Sequence, residues 1–515
     1  MTAHKTSWHC LPAEIRISIL EALLQDSCQV SLASLATVSR EWQTVIERHN
    51  FARIKLTPSR LTDFSLIICR NRALVRYIWL CLELEEYNCT KCAPEDEDMW
   101  GLSNMENMLI TTALCNLFLT LSGWEPNSNL LLDISVYSPS DSKHWFKYLT
   151  FEPDIPSHEC DQSQYAEQSI LAEANDYNHC WNLGSQDFAR TEYAITKVFE
   201  EFIIGEGLFD DDNEQEENQW WQQLPLVPAI TGVLLRQQNR RRWKPTSLAQ
   251  MFARLPRLQE IYYEPWREWN KTEQNWADQS FQSLFESLTS SQLRRLVIFE
   301  NFNQQYPLSF NRPQQHPLGS ADCDPIRIPT SNVSRAVANA SLRLEHLSAS
   351  FIVDASYFFS TREPSWKWPN LTLLTLTSQL LAPNTSLIEI DNMLQAAAAT
   401  AMKMPNLKIM EIWNGREGLA TLFRYESTRG GQPTIITWRG TWEFDLRPPV
   451  IQAWETVALK YCGHRPVIVK ELLDVAIKSH GDAIHYLRPL NLIIRPVSLQ
   501  QILIEHRIRE GGKYN

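Results

Sequence analysis

Apolar residues near the start of the chain follow a helical spacing. The first set is Ile15, Ile19, Leu20, Leu23 and Leu24. Pro12 precedes it, where the first turn of a helix tolerates proline because the missing N–H has no partner there. A polar stretch from Gln25 to Gln29 separates this set from a second apolar stripe between Leu32 and Ile46. The pattern predicts two or three short helices that share apolar faces over residues 11–48.

A different pattern recurs farther along the chain: a helical segment, then Leu-x-x-apolar-x-apolar. Its five units begin at Leu258, Leu293, Leu344, Leu371 and Leu407. Three units carry proline two residues before the leading leucine, at Pro256, Pro369 and Pro405. Proline ends a helix and favours an extended approach to a strand. Each unit therefore predicts a helix followed by a strand.

Upstream segments extend this alternation. Strands are predicted at residues 74–84, 130–137 and 230–235, and a helix is predicted at 104–121 between the first two. Strands that alternate with helices favour an α/β fold in which helices cover a parallel sheet.

Three stretches interrupt the alternation and are predicted to be insertions. Residues 154–182 are polar and irregular, and residues 304–329 are rich in Pro and Gln. The third, near 205–220, contains the acidic run from Glu206 to Glu217, which predicts a solvated loop because dense like charges repel one another.

The last part of the chain changes character, and we interpret residues 434–515 as a C-terminal capping region. It begins with a β run at 434–438 and a helix ending near Tyr461. A last strand is predicted at 487–490, followed by a helix at 498–506. Such a cap protects the terminal strand from edge pairing.

The first fifty residues resemble an F-box. The matching positions are Leu11, Pro12, Glu14, Ile15, Ile19, Leu20, Leu32, Leu35, Val38, Ser39, Arg40, Trp42 and Phe51. The resemblance implies a three-helix module over residues 7–55 that docks on a Skp-type adaptor and, through it, on a cullin–RING ubiquitin ligase. The connection from Gln25 to Val30 is longer than in most of the family, which affects the expected loop geometry.

A helical module this small has little core of its own. Apolar residues left over after it packs must be covered by a partner or by the following domain. The expected adaptor-binding residues are Leu11, Pro12, Ile15, Leu20, Val38 and Trp42. Of these, Val38 and Trp42 also suit a place in the core. The alternative is an ordinary N-terminal helical cap that binds no adaptor.

Residues 56–433 resemble a degenerate leucine-rich-repeat region. The leading leucines are 35, 51, 27 and 36 residues apart, and no asparagine follows the strands regularly, so the repeats are uneven. The resemblance implies an irregular solenoid of parallel strands covered by helices. With the F-box in front, the chain resembles F-box proteins of filamentous fungi. A compact α/β domain is the alternative.

These resemblances imply the substrate-recognition subunit of a Skp–cullin–F-box ubiquitin ligase. Such a receptor raises the local concentration of a protein substrate near the ubiquitin-charged enzyme, so we expect no catalytic residue and no cofactor. Aromatic residues at or just beyond strand ends are weak candidates for substrate binding. They are Tyr262, Tyr263, Phe299 and Trp413. A repeat scaffold without a ligase role and an uncharacterised hydrolase stay open as alternatives.

Composition narrows the function classes. A formal net charge of −12 argues against a general nucleic-acid binder, and 44% hydrophobic residues argue against global disorder. The longest uncharged stretch, 107–124, contains several polar residues, which favours a buried helix over a membrane span. Met1 to Cys10 has no apolar leader core. We expect a soluble protein of the cytoplasm, the nucleus or both.

Few residues form a recognisable chemical motif. The eleven cysteines predict reduced thiols. Cys89 and Cys92 form the single C-x-x-C, and without a second pair no metal is expected. Possible distant ligands are His158, Cys160, His179 and Cys180. The basic cluster from Arg240 to Lys244 predicts a solvated turn, with a nuclear import signal or an acidic partner as alternatives.

Overall fold

A computed structural model provides the fold. It describes residues 8–26, 34–96, 99–126, 129–154, 188–205, 214–269, 271–304, 326–427 and 433–511, together with Leu171, Asp176, His179 and Tyr306. The predicted insertions at 154–182 and 304–329 fall mostly outside these residues.

The strands of the described residues form one sheet in which each strand pairs with the next along the chain. Pairing is parallel from β1 to β9, antiparallel through β9, β10 and β11, and parallel again between β11 and β12. Their bounds are β1 Arg53–Leu56, β2 Tyr77–Glu83, β3 Leu130–Tyr137, β4 Ile230–Leu235, β5 Glu260–Tyr263, β6 Arg295–Phe299, β7 His346–Asp354, β8 Leu373–Thr377, β9 Ile409–Arg416, β10 Leu419–Glu426, β11 Ile435–Gly440 and β12 Val467–Leu472. The predicted α/β class with a mostly parallel sheet is confirmed.

Two helices precede the sheet, and most of the others connect its strands. The bounds in the described residues are α1 Ala13–Asp26, α2 Arg40–Ala52, α3 Pro58–Ile67, α4 Asn104–Ser122, α5 Pro139–Lys143, α6 Phe188–Phe199, α7 Glu214–Gln223, α8 Pro245–Ala253, α9 Lys271–Leu288, α10 Ser331–Ala340, α11 Ala355–Ser360, α12 Leu387–Ala401, α13 Pro448–Cys462, α14 His480–Leu487 and α15 Pro496–Gly511. Each strand expected from a leading leucine is present, as is each helix expected before it.

Strand alternation divides the sheet side chains between two faces. In β6, Leu296 and Ile298 join the large core under the helices, which also contains Phe285 of α9. Val297 and Phe299 belong to clusters on the opposite face. The side chains on one face of the strands and the apolar faces of the helices therefore pack together in one core.

The chain after β12 covers part of that opposite face. Ile484 and Leu487 of α14 and Ile502 of α15 pack in one cluster with Phe299 of β6 and Trp413 of β9. The described part of the expected capping region, residues 434–511, thus serves two purposes. Its first part extends the sheet by β11 and β12, and its last part closes the face over the middle strands.

The strand predicted at 487–490 is wrong. Leu487 ends α14, and Arg488 has a left-handed backbone with φ of 50°. The Arg488 carbonyl accepts a hydrogen bond from Arg424 Nη2 at 2.7 Å, and Leu490 N–H donates to Glu411 Oε1 at 2.9 Å. Side chains of the sheet therefore satisfy the backbone groups that a strand would have paired.

Two further expectations concern helices. The acidic run was expected to be a loop through Glu217, but α7 begins at Glu214, and its Trp220 and Trp221 are buried; residues 206–213 lie outside the described part. The expected helix at 104–121 is present as α4, and Leu114 and Phe118 are buried in the core. Among the described residues, none of the helices has the length and apolar character needed to cross a membrane.

Candidate functional site

The N-terminal helices form a small module held by polar and aromatic contacts. Arg16 of α1 pairs with Glu41 of α2 at 3.0 Å, and the same carboxylate accepts a hydrogen bond from Trp8 Nε1 at 3.1 Å. The Trp8 and Trp42 rings pack in a tilted arrangement, with centroids 5.4 Å apart and 49° between their planes. Ser39 begins α2 as its N-cap, with its hydroxyl accepting from Trp42 N–H at 3.3 Å.

A row of apolar side chains stays exposed on this module. Ile15, Ile19 and Leu23 are 48%, 37% and 42% exposed, and their spacing of four places them along one face of α1. Val38, between the two helices, is 60% exposed, and Pro12 is also exposed. Monomeric proteins seldom leave contiguous apolar side chains in water. We call Pro12, Ile15, Ile19, Leu23 and Val38 the N-terminal apolar strip.

Not every expected adaptor-binding residue lies on the surface. Pro12, Ile15 and Val38 are exposed, whereas Leu11 and Trp42 are half-buried. Leu20 is only 2% exposed, so its place is in the interior, and its expected role in contacting a partner is corrected. Leu20 follows Ile19 directly, and a helix turns consecutive side chains by about 100°, which puts the two on different faces.

The four aromatic residues expected to bind substrate are all buried. Tyr262, Tyr263, Phe299 and Trp413 are at most 5% exposed. Tyr263 lies in the core under the helices, whereas Phe299 and Trp413 lie beneath the C-terminal segment. The C-terminal segment covers Phe299 and Trp413, Tyr263 faces the helices, and Tyr262 packs with other sheet residues, so burial and not surface exposure is what the structure gives these four rings.

Most of the basic cluster at 240–244 lies in the interior, contrary to the predicted solvated turn: Arg240, Arg241 and Trp243 are buried, and Arg242 and Lys244 are half-buried. Arg240 pairs with Glu505 of α15 at 3.2 Å. Arg241 holds Asp141 of α5 through two hydrogen bonds of 2.5 and 3.2 Å. These guanidinium groups therefore connect strand ends to neighbouring helices, which leaves them unsuited to an import signal in this fold.

Buried carboxylates accompany these arginines along the carboxyl edge of the parallel strands. Burial raises the pKa of Glu268 to about 8 despite the opposing effect of the nearby Arg242. Burial likewise raises the pKa of Glu300 to about 7, against the opposing effect of Arg327. The cavity beside Glu268 is about 30 Å³, enough for one or two waters. This edge is thus a packed polar network.

One cluster at the same edge joins two residues that the sequence named as possible ligands, Cys89 and His179, to one that it did not name, His144. Cys89 follows β2, His144 follows α5, and His179 approaches both, with ligand-type atoms of all three within 4.8 Å of one another. The C-x-x-C at Cys89 was a usable signal, but its second cysteine, Cys92, accepts a hydrogen bond from Trp145 Nε1 at 3.2 Å instead of joining the group. His158, Cys160 and Cys180 lie outside the described residues.

Comparison with known families gives one partial match. A model described as a family of unknown function (DUF6546) matches residues 288–495, about two fifths of the chain. The matched part runs from the end of α9 to just beyond α14. It therefore includes β6 to β12 and much of the C-terminal segment that covers the middle strands. It does not include the N-terminal module. A comparison with curated proteins finds no match.

Proposed function

We propose that the protein is the substrate-recognition subunit of a Skp–cullin–F-box ubiquitin ligase. Its N-terminal module binds the Skp-type adaptor, and another surface of the chain binds a protein substrate. The observation that carries the proposal is the N-terminal apolar strip, whose side chains stay exposed while Leu20 of the same helix is buried.

The strip has the properties of a binding surface. Ile15, Ile19 and Leu23 form a row along one helix, and Val38 comes from the following segment. Burying one such aliphatic side chain contributes about 1.5–3 kcal/mol. Several of them side by side suit a groove that takes the apolar face of a helix.

The sheet supports a repeat interpretation of residues 56–433. From β1 to β9 the strands pair in sequence order and in parallel, and the helices between them cover one face. We infer a degenerate leucine-rich-repeat-like solenoid from this order. Since the C-terminal segment covers the face over Phe299 and Trp413, the proposal assigns substrate binding to a surface outside that patch.

The test is co-purification of the full chain with a recombinant Skp-type adaptor. Ile15→Glu and Val38→Glu place charges in the strip, and Leu66→Glu is the matched control because Leu66, on α3, is 78% exposed outside it. Exposed substitutions of this kind change stability by about 0.5 kcal/mol or less. We expect the two strip variants to lose the adaptor and the control to keep it.

Two results would contradict the proposal. If the wild-type chain does not bind the adaptor, the ligase assignment fails and a scaffold without a ligase role becomes the better interpretation. If the wild type and all three variants bind equally, the adaptor uses another surface. Far-UV circular dichroism of each variant separates lost binding from lost folding.

A further inference from the structure

Three possible metal ligands from separate segments converge beside the carboxyl ends of β2 and β3. His144 Nδ1 lies 3.4 Å from His179 Nε2 and 3.5 Å from Cys89 Sγ. All three atoms lie within 4.8 Å of one another. The group goes beyond the proposed adaptor surface and does not depend on it.

We propose that Cys89, His144 and His179 bind one zinc ion through Sγ, Nδ1 and Nε2. The distances support this geometry. With zinc–nitrogen bonds of about 2.0–2.1 Å and a zinc–sulfur bond of about 2.3 Å, tetrahedral angles place two nitrogen ligands about 3.3 Å apart and a nitrogen and a sulfur about 3.6 Å apart. The observed 3.4 and 3.5 Å agree with these two edges.

Hydrogen bonds on the far side of each imidazole select the tautomer that a metal needs. His144 Nε2 lies 3.1 Å from the carbonyl oxygen of Tyr87, which only accepts, so Nε2 carries the proton and Nδ1 presents a lone pair. His179 Nδ1 lies 2.9 Å from an Asp176 carboxylate oxygen, so its Nε2 is also a lone-pair donor. Two lone pairs 3.4 Å apart repel each other, and a cation between them removes the repulsion.

These outer contacts are typical of zinc sites, where each ligating histidine donates its other N–H to a carboxylate or a backbone carbonyl. Asp176 is itself fixed by an ion pair with Lys147. The Trp145 ring packs edge-on against His179 with centroids 5.5 Å apart. The two imidazoles are therefore oriented before any ion binds.

The two strand-end segments that carry Cys89 and His144 are tied together without a metal. Ser140 of α5 bonds to Tyr87 through both the Tyr87 N–H, at 2.9 Å, and its carbonyl, at 2.8 Å. Ser138 and Asp141 form a capping box that begins α5. Because β2 and β3 are parallel neighbours, the loops after them emerge at the same edge of the sheet.

The donor set favours zinc. A thiolate with two imidazoles is a borderline-soft set that matches zinc and not magnesium or calcium, which prefer oxygen. The described residues supply three ligands, and a tetrahedral ion takes one more. The ion cross-links three segments that are distant in sequence, so it stabilises this end of the sheet.

The experiment measures metal in the purified full chain by mass spectrometry and then titrates the chelator-treated protein with Zn²⁺ or Co²⁺. We expect one zinc per chain and a cobalt spectrum with tetrahedral ligand-field and thiolate charge-transfer bands. Cys89→Ser should lose both, whereas Cys69→Ser, at another exposed cysteine, should keep both. Asp176→Asn should weaken zinc binding by about 10–100-fold while preserving the spectrum.

Three outcomes would overturn the proposal. One is a wild-type chain that holds no zinc and shows no saturable cobalt binding. The second is equal metal content in the Cys89→Ser and Cys69→Ser variants. The third is a rate of Cys89 alkylation near neutral pH that added Zn²⁺ does not lower, which would assign the group to a Cys–His pair. Because Cys89 is exposed, its replacement is not expected to prevent folding.

Discussion

His480 predicts a specific loss of stability in mild acid. This residue begins α14, is 2% exposed, and places its Nε2 2.9 Å from Asn301 Oδ1. Its ring stacks on Phe302 with centroids 4.5 Å apart. Burial lowers the pKa of His480 to about 3, helped by the neighbouring His506 and opposed by Glu505.

The sign and size follow from linkage. An unfolded histidine has a pKa of about 6.5, so between pH 6.5 and pH 3 the unfolded chain binds a proton that the folded chain excludes. Stability is therefore fully present above the unfolded pKa and falls as the pH falls. From pH 7 to pH 5 this one group lowers the free energy of unfolding by about 1.9 kcal/mol.

The assay is urea unfolding followed by tryptophan fluorescence at pH 7 and pH 5. His480→Gln keeps a neutral hydrogen-bond donor and removes the titration, and we expect its stability difference between the two pH values to be smaller than the wild type's by that amount. His485→Gln is the matched control because His485, on the same helix, is exposed. Other titrating groups are common to all three proteins and cancel.

The reasoning is refuted if His480→Gln and the wild type lose the same free energy between pH 7 and pH 5. That result would mean that His480 is hydrated in the folded chain and has the pKa of an ordinary histidine. If His485→Gln also loses the pH effect, the effect does not originate in the buried His480 ring.

Two further predictions concern the framework. Ser103 is the N-cap of α4, and its hydroxyl accepts a hydrogen bond from Glu106 N–H at 3.3 Å. Ser103→Ala removes this cap and should lower the free energy of unfolding, measured in urea, by about 1 kcal/mol. An unchanged urea midpoint would show that the cap contributes nothing. Glu505→Leu leaves the buried Arg240 without its carboxylate and should cost about 3–5 kcal/mol. A differential-scanning melt checks this second change, and an equal or higher melting temperature would contradict it.

The sequence predicted the elements that local pattern controls. Leu293 and Leu371 each lead into a strand of the expected place and length, because alternation and a preceding helix stop are properties of a few neighbouring residues. The helix at α4 was predicted for the same reason. The sequence missed β1, β10 and β12, which lack the leading-leucine signal of the other units. β10 arises from a hairpin whose Gly418 has φ of 76°.

Within the candidate sites, the sequence identified residue types better than their surroundings. Ile15 was expected on the surface and is exposed, and Val38, which suited either the surface or the core, is exposed too, but Leu20 is buried. The aromatic residues at strand ends were expected to face a partner, and a segment more than seventy residues later covers Trp413 instead. Cys89 was recognised as a possible ligand, yet its neighbours come from the loop beyond another strand.

Periodicity, proline placement and the acidic composition by themselves determined an α/β chain of helix–strand units with an apolar N-terminal helix pair. Only the tertiary structure decided which of those apolar side chains stay in water and which meet a distant segment. It also showed that Arg240 and Arg241, in an apparent surface cluster, form buried ion pairs with Glu505 and Asp141, and that Arg242 forms a partly buried one with Glu268. The physical reason is that burial depends on contacts between segments far apart in sequence. The order of charges along the chain does not indicate which carboxylate will pair with each arginine.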